Sequence, residues 1–274
     1  MLPNFLIIGA PKAATTWIAD GLREHPGIFL PQVKELRFFC GKNLDKGRAW
    51  YESQFDNAPE GSVAGEASPS YLGSQEAPER ISKMLSDVKL IVTLRHPVEQ
   101  AYSFYWHQLT RGEIALDTDF LSFFETRRPR ASYYGSHLGR YLRSFGLSQL
   151  LILLYEEDIE KNPRLGIRKC YEFLGVDPEF SPSVLEKKSN ARREITALHG
   201  ATRLARQCLN VLPAEISRPL KRVSKGIAQR LPKKKNQDSL DPELRRNLLS
   251  QYYIDDIRQL EKVSEKDFAV WYDS

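Results

Sequence analysis

The sequence has little sulfur, no long apolar run and no strong excess of charge of either sign. Its three cysteines, Cys40, Cys170 and Cys208, form no close pair. Nor do they have metal-ligand spacing, which excludes a disulfide scaffold and fits a reducing compartment, with all three read as small buried hydrophobes. No stretch of about 18 apolar residues occurs, which excludes a transmembrane helix and stable membrane insertion. Only four residues precede the first apolar run, Phe5-Leu6-Ile7-Ile8. That leaves no room for a signal peptide, so with Met1 as the natural start a cytoplasmic protein is expected. No cluster of metal-ligand residues is visible, and no metal is expected. No internal repeat is evident. Forty Lys and Arg against 35 Asp and Glu give a net charge of +5. This mild basicity fits either scattered surface lysines or a site that attracts polyanions.

What is present is alternation of short apolar strands with helical segments. Phe5–Gly9 is an apolar run bounded by glycine, as in a buried parallel strand. A turn over Ala10–Thr15 leads to a helix over Thr16–Glu24, ended by His25-Pro26-Gly27. Ile28–Leu30 and Val63–Ala67 read as further short strands. Val88–Leu94 is the clearest central strand, and Pro97 suits the first position of a helix reaching about Arg111. A helix over Tyr133–Phe145, a strand at Leu150–Leu154 and a helix over Asn162–Gly175, with Gly175 at its C-cap, follow. The pattern predicts one α/β domain over residues 1–274, with a central parallel sheet flanked by helices. From about Pro182 the texture changes to a basic, weakly periodic segment through residue 240, which reads as a mobile cover over substrate or nucleotide. Asp241-Pro242-Glu243 opens a last helix, with Leu244, Leu248, Leu249, Ile257 and Leu260 facing the core.

The strand–turn–helix at the N-terminus is a natural anion site, because a helix start offers unpaired N–H groups and a positive dipole end. The turn is Gly9-Ala10-Pro11-Lys12-Ala13-Ala14-Thr15-Thr16. Against G-x-x-x-x-G-K-[ST] it keeps the first Gly and the last Thr. It loses the second Gly to Ala14 and the lysine to Thr15, and carries a lysine at Lys12 instead. The central strand ends in Arg95, where a nucleoside-triphosphate enzyme has a carboxylate for Mg²⁺. Cations without a metal carboxylate suit a ligand whose charge is met by the protein alone, although a plain βα turn has the same outline. In open α/β sheets ligands sit outside the carboxyl ends of strands. Arg95 is at such an end, and Ser103 lies two turns into the following helix. Together they could hold a second phosphate; alone, each is an ordinary surface arginine and helix-face serine.

Phe5–Phe39, Gly65-Glu66-Ala67-Ser68-Pro69-Ser70-Tyr71 and Leu94-Arg95-His96-Pro97-Val98-Glu99-Gln100-Ala101-Tyr102-Ser103, in that order, resemble the sulfotransferases that use 3′-phosphoadenosine 5′-phosphosulfate. The likeness is to the heparan sulfate branch and its bacterial relatives, and it runs on through Leu151–Asp158 to Trp271, thinning over 182–240. It implies a P-loop-kinase-like fold and sulfuryl transfer from that nucleotide to a hydroxyl or amine. The acceptor would be a carbohydrate, a lipid or a small molecule, with no nucleic acid as partner. It further implies that Lys12, Ala13, Ala14, Thr15, Thr16 and Trp17 bind the 5′-phosphosulfate, that Arg95 and Ser103 bind the 3′-phosphate, and that Arg192 and Arg193 belong to a basic turn near it. Glu35 matches the branch's catalytic base, and Lys12 becomes the cation on the bridging oxygen. Three positions depart from the pattern. Ala67 replaces a lysine, Cys40 replaces an acid, and Ala13-Ala14 replace two glycines.

An in-line displacement needs a base for the acceptor's proton, a cation on the leaving oxygen and donors for the sulfonate. If Ile28–Leu30 is a strand beside the first, Glu35 emerges at the same sheet edge as Lys12. An ion pair with Lys34 or Arg37 is the other use for Glu35. Glu66 is the fallback base, with His96 and His107 behind it. Trp50, Tyr51, Tyr71, Tyr105 and Trp106 could line an acceptor pocket or lie in the core. A small-molecule kinase is disfavoured by Thr15 at the P-loop lysine position. A non-catalytic polyanion-binding module using Arg192-Arg193 and Lys233–Lys235 would show steep salt dependence and no transfer.

Overall fold

The computed structural model describes residues 1–186, 195–196, 233–234 and 240–272. Most of the segment 182–240, including Arg192, Arg193 and Lys235, lies outside the described residues, as does Cys208. The chain divides into two compact units, Met1–Gln100 with Arg130–Ser189 and Pro242–Ser274, and Ala101–Pro129 with Asn190–Asp241.

The first unit is built on a five-stranded sheet. In chain order the strands are β1 (Phe5–Gly9), β2 (Ile28–Phe29), β3 (Val63–Ala67), β4 (Lys89–Leu94) and β5 (Leu150–Leu154). Their spatial order is β2-β3-β1-β4-β5, and every pairing is parallel. β1 is buried at all five positions, and β4 at all but its first residue. Such unbroken apolar runs are what a parallel sheet covered on both faces requires. In chain order the helices are α1 (Thr15–Glu24), α2 (Gly47–Ser53), α3 (Ala77–Met84), α4 (Pro97–Arg111), α5 (Phe120–Arg127), α6 (Tyr134–Tyr141) and α7 (Pro163–Leu174), of which α5 and most of α4 belong to the second unit. After them come α8 (Pro242–Tyr252) and α9 (Ile254–Ser264).

One core cluster joins Phe5, Ile7 and Ile91 of the sheet to Trp17, Ile18 and Leu22 of α1 and to Ile167, Tyr171 and Leu174 of α7. α7 ends at Gly175 in the left-handed conformation, whose N–H reaches the carbonyls of Tyr171 and Glu172, the usual C-cap solution for glycine. α9 reaches α6 through Asp256. Its buried carboxylate accepts from the N–H groups of Gly135 (2.8 Å) and Ser136 (2.9 Å), which satisfies the start of α6.

The expected final helix is in fact two, broken at Tyr253. Leu248, Leu249, Ile257 and Leu260 face the core as the periodicity predicts, whereas Leu244 is half-buried. α2, α3 and α5 are too short to carry a strong periodic signal and are additions to the sequence reading. Among the described residues, no helix is long and apolar enough to cross a membrane.

The described part of the second unit holds the rest of α4 and α5. Asp119 caps α5 by accepting from Ser122 N–H at 2.9 Å. Tyr102, Tyr105 and Trp106 pack with one another, and Phe120 packs against Tyr102 and Tyr105, with ring centroids 5.0–6.1 Å apart. A short antiparallel pair joins Ile195–Thr196 to Lys233–Lys234.

Gly65 is where two strands meet most closely. It pairs with Phe5 across β1 and β3, and a methyl at Gly65 would overlap the fully buried Phe5 ring. Gly65→Ala is expected to lower unfolding stability by about 1–3 kcal/mol, the cost of overpacking a filled core. A urea midpoint equal to wild type would show that the ring moves aside freely.

Candidate active site

The chain leaves β1 toward β3 and returns through β4 on the other side of β1, so the strand order reverses between β1 and β4. Crevices at such reversals, beyond the carboxyl ends of the strands, are where open α/β sheets bind ligands. Two segments of the sequence reading meet there. The turn after β1 is tied to β4 by Ala10 N–H on the Thr93 carbonyl (2.7 Å) and to α4 by Gln100 Nε2 on the Pro11 carbonyl (2.8 Å). Gly9 has no space for a side chain, since a Cβ would come within 2.6 Å of Leu72 Cβ. Lys12 and Ala14 take left-handed backbone angles, φ 68° and 66°. Ala14 is the N-cap of α1 and offers no side-chain hydrogen bond. The first-turn N–H groups of Thr15, Thr16 and Trp17 are therefore left to whatever lies in front of the helix.

The side chains of this turn serve different ends. Thr16 is exposed and Lys12 half-buried, so both are placed to meet a ligand. The Trp17 indole is buried in the core cluster and donates to the Val184 carbonyl at 3.3 Å, which leaves only its backbone for the site. Thr15 and Ala13 are buried.

Beside the start of α1 lies a solvent-open cleft of about 620 Å³, lined among others by Thr15, Thr16, Lys34, Glu35, Ala67 and Pro69. Glu35 is here, but by a different route from the one expected. β2 pairs with β3 and not with β1, so β3 intervenes. The segment after β2 crosses back over the end of β3 to reach the cleft. It does so in strained backbone, with Glu35 at φ 58° and Arg37 at φ 48°. The Glu35 carboxylate is ion-paired to the guanidinium of Arg37, whose Nε lies 3.0 Å from Oε2. Lys34 Nζ donates to Thr16 Oγ1 at 3.0 Å and so pins the segment to α1. It lines the same cleft as Ala67, the position where a lysine is missing from the resemblance.

Glu66 is not free to act as a base. Its carboxylate is 2% exposed and sits under the crossing segment. Oε1 accepts from Tyr71 (2.6 Å) and Tyr51 (3.0 Å), Oε2 from Ser68 Oγ (2.7 Å), and the Leu36 N–H also donates to it. Burial pushes this carboxyl up, and the four donors oppose that shift. Ser68 Oγ in turn accepts from Arg37 N–H (2.9 Å) and Tyr71 Oη from Phe38 N–H (2.9 Å). Of the aromatic candidates, Tyr51 and Tyr71 are thus committed to Glu66, Trp50 stacks on Phe38 and under Lys46, and Tyr105 and Trp106 pack within the second unit.

Arg95 sits beyond the end of β4 with its guanidinium 4.7 Å over the Tyr155 ring and Nη2 3.3 Å from Glu99. Its Nε is buried and has no acceptor among the described residues. Ser103 is half-buried on α4, in the second unit. His96 is buried, and its imidazole is pushed down to about 3, by burial first and then by the charges of Arg245 and Arg95. It is neutral at pH 7. His107 lies on α4 in the second unit. Among the described residues, no group of three or more His, Cys, Asp or Glu could hold a metal ion.

An uncapped helix start after β1 and a half-buried arginine with an unsatisfied Nε after β4 stand at the reversal of a parallel sheet, the place where α/β proteins of the nucleotide-binding class hold phosphates. Residues 2–248 match the sulfotransferase domain family, and the chain belongs to that family. It is 33% identical over 188 residues to the heparan sulfate glucosamine 3-O-sulfotransferase 3A1 of Mus musculus, covering 64% of this chain and 46% of that protein. It is 32% identical over 203 residues to the bifunctional heparan sulfate N-deacetylase/N-sulfotransferase 4 of the same organism, covering 66% of this chain and 23% of that protein. The chain thus spans less than half the length of these curated relatives. The crystal structure of a sulfotransferase from Alicyclobacillus acidocaldarius has the same fold, with a TM-score of 0.71, 24% identity and 99% of each chain covered.

The Glu66 cluster has a direct consequence for stability. Glu66→Gln puts an amide NH₂ where only donors converge, so at least one buried donor loses its acceptor. A loss of about 1–3 kcal/mol is expected by chemical denaturation at pH 7. A change below about 0.5 kcal/mol would mean that the cluster rearranges around the amide without cost.

Proposed function

We propose that the protein transfers the sulfuryl group of 3′-phosphoadenosine 5′-phosphosulfate to a hydroxyl or amine acceptor. The observation that carries this reading is the pairing of two anion sites on either side of the sheet reversal. One is the uncapped start of α1 with Lys12, and the other is Arg95, with a buried Nε that no acceptor among the described residues meets. A nucleotide with phosphates at both its 5′ and 3′ ends asks for two such sites, whereas ATP asks for one site and a metal carboxylate.

In this reading the first-turn N–H groups of α1, with Thr15 and Thr16, hold the 5′-phosphosulfate. Lys12 meets the negative charge that grows on the bridging oxygen as its bond to sulfur breaks. Arg95 holds the 3′-phosphate, and Ser103 is assigned to the same phosphate from the resemblance. The acceptor oxygen or nitrogen enters through the cleft lined by Lys34 and Glu35 and forms the new bond to sulfur, while 3′-phosphoadenosine 5′-phosphate leaves. Its proton passes to the Glu35 carboxylate. For that transfer the acceptor hydroxyl must share or displace Arg37, which holds Glu35 in this structure.

Donor binding by protein cations alone predicts that 3′-phosphoadenosine 5′-phosphate raises the melting temperature in the presence of EDTA, by mass action on the folded state. ATP at the same concentration should do so far less. A stabilisation that vanishes in chelator, or a preference for ATP, would overturn the reading.

Glu35→Gln keeps shape and hydrogen bonding but cannot take a proton. Turnover is expected to fall about 10²–10⁴-fold, with affinity for 3′-phosphoadenosine 5′-phosphate nearly unchanged, because Glu35 is not placed to touch the nucleotide. Turnover that survives within a few-fold would remove Glu35 as the base.

A further inference from the structure

Arg245, in the first part of α8, has no role in the reading above, and nothing in its helix accounts for its position. A cation near a helix N-terminus opposes the helix dipole. Its guanidinium instead turns to Glu99, the residue that also faces Arg95. Arg245 Nη1 lies 3.7 Å from Glu99 Oε1, and Arg95 Nη2 lies 3.3 Å from Glu99 Oε2. One carboxylate therefore stands between two guanidinium groups, one at each oxygen. Neither contact has the 2.7–2.9 Å length of a strong charge-assisted hydrogen bond.

Both arginines are largely withdrawn from water, at 22% side-chain exposure each, with Glu99 at 17%. The Nε of each is buried and meets no acceptor among the described residues. Leaving a buried donor unsatisfied is costly, more so on a charged group. Glu156, the other carboxylate close to Arg95, is turned to other donors and takes neither Nε. Its Oε1 takes the His96 N–H at 2.7 Å, and its Oε2 takes the Trp271 indole N–H at 3.1 Å. The depression of His96, in which Arg245 is the larger of the two charge effects, shows that Arg245 presses on the same small region as Arg95. The arginine from β4 is fixed from behind, by the Tyr155 ring at 4.7 Å and by the Tyr134 hydroxyl on its own carbonyl at 2.9 Å. What remains is a pair of planar forks with donors to spare, spaced by a carboxylate. An oxyanion with several acceptor atoms and two negative charges fits that arrangement.

We propose that Arg245 is a further donor-binding residue, and that Arg95 and Arg245 together clamp the 3′-phosphate of the nucleotide with Glu99 as the spacer that sets the two forks. This rests on the sulfotransferase reading given above. It moves part of nucleotide recognition from the sheet edge to the C-terminal helices, which no motif in the first hundred residues could reveal.

The test is calorimetric affinity for 3′-phosphoadenosine 5′-phosphate and, separately, for adenosine 5′-phosphosulfate, which lacks the 3′-phosphate. The proteins are wild type, Arg95→Ala, Arg245→Gln, Arg245→Lys and, as a control on the same helix, Arg246→Gln. Arg245→Gln is expected to weaken 3′-phosphoadenosine 5′-phosphate at least about tenfold, in the range for removing one partner of a desolvated charge contact. It should change adenosine 5′-phosphosulfate by less than about threefold, because the lost contact is to the absent phosphate. Arg245→Lys keeps the charge but not the fork and should give a smaller loss with the same selectivity; it decides the matter if Arg245→Gln does not fold. Arg246→Gln should bind like wild type. Loss by Arg95→Ala with wild-type binding by both Arg245 variants would overturn the clamp while leaving the sulfotransferase reading intact, as would equal losses for both nucleotides. Wild type that does not distinguish the two nucleotides would overturn the sulfotransferase reading itself.

Discussion

A single buried carboxylate at the end of β3 is what the cleft depends on. Glu66 gives up its hydration entirely and recovers it from the hydroxyls of Tyr51, Tyr71 and Ser68 and the N–H of Leu36. Those partners are not incidental, since Ser68 and Tyr71 pass the constraint on to the N–H groups of Arg37 and Phe38. The segment carrying Glu35 is therefore hydrogen-bonded through its backbone to the buried Glu66 carboxyl, directly at Leu36 and by way of Ser68 and Tyr71 at Arg37 and Phe38, with Phe38 and Phe39 packed on Tyr51. A carboxylate left in a buried site without such partners would protonate or open the structure. Here its own need for donors is what fixes the crossing loop.

That arrangement explains how a residue after β2, at the far edge of the sheet, serves a site at its centre. With the order β2-β3-β1-β4-β5, the carboxyl end of β2 is two strands from β1. The chain must cross β3, and Glu66 at the end of β3 is the point over which it crosses. The same geometry brings Lys34 onto Thr16 and makes the cleft wall partly of α1 and partly of the crossing segment.

Much of this was legible in the sequence, and what was not has identifiable causes. β1, β4 and β5 were readable because buried parallel strands are near-continuous apolar runs, and α7 because Gly175 marks its end. The structure brings Glu35 to the cleft beside α1, yet the strand order was out of reach, since a two-residue strand such as Ile28–Phe29 carries no information about its neighbour. Trp17 stands in the first turn of α1 while its ring builds the core, a division between backbone and side chain that residue identity does not reveal. Glu66 read as a spare base because a carboxylate beside a candidate pocket looks the same whether it is solvated or spent on three hydroxyls. Arg245 was invisible because its partner, Glu99, is far away in the chain and the contact exists only after α8 docks.

Backbone strain marks the site independently of charge. Among the described residues, the non-glycine positions with positive φ are Lys12, Ala14, Glu35, Arg37 and Glu265. Glu265 closes α9, a place where a left-handed residue is ordinary. The other four fall in the turn after β1 and in the segment bearing Glu35, the two stretches that supply the cation, the helix start and the carboxylate. Each such residue costs on the order of 1–3 kcal/mol and persists only where its surroundings over-determine it. Gly9 against Leu72 and Ala10 against Thr93 do so on one side, and the Glu66 cluster does so on the other. The strain therefore sits in the two stretches that carry Lys12 and Glu35, and the packing that stabilises it lies one layer below.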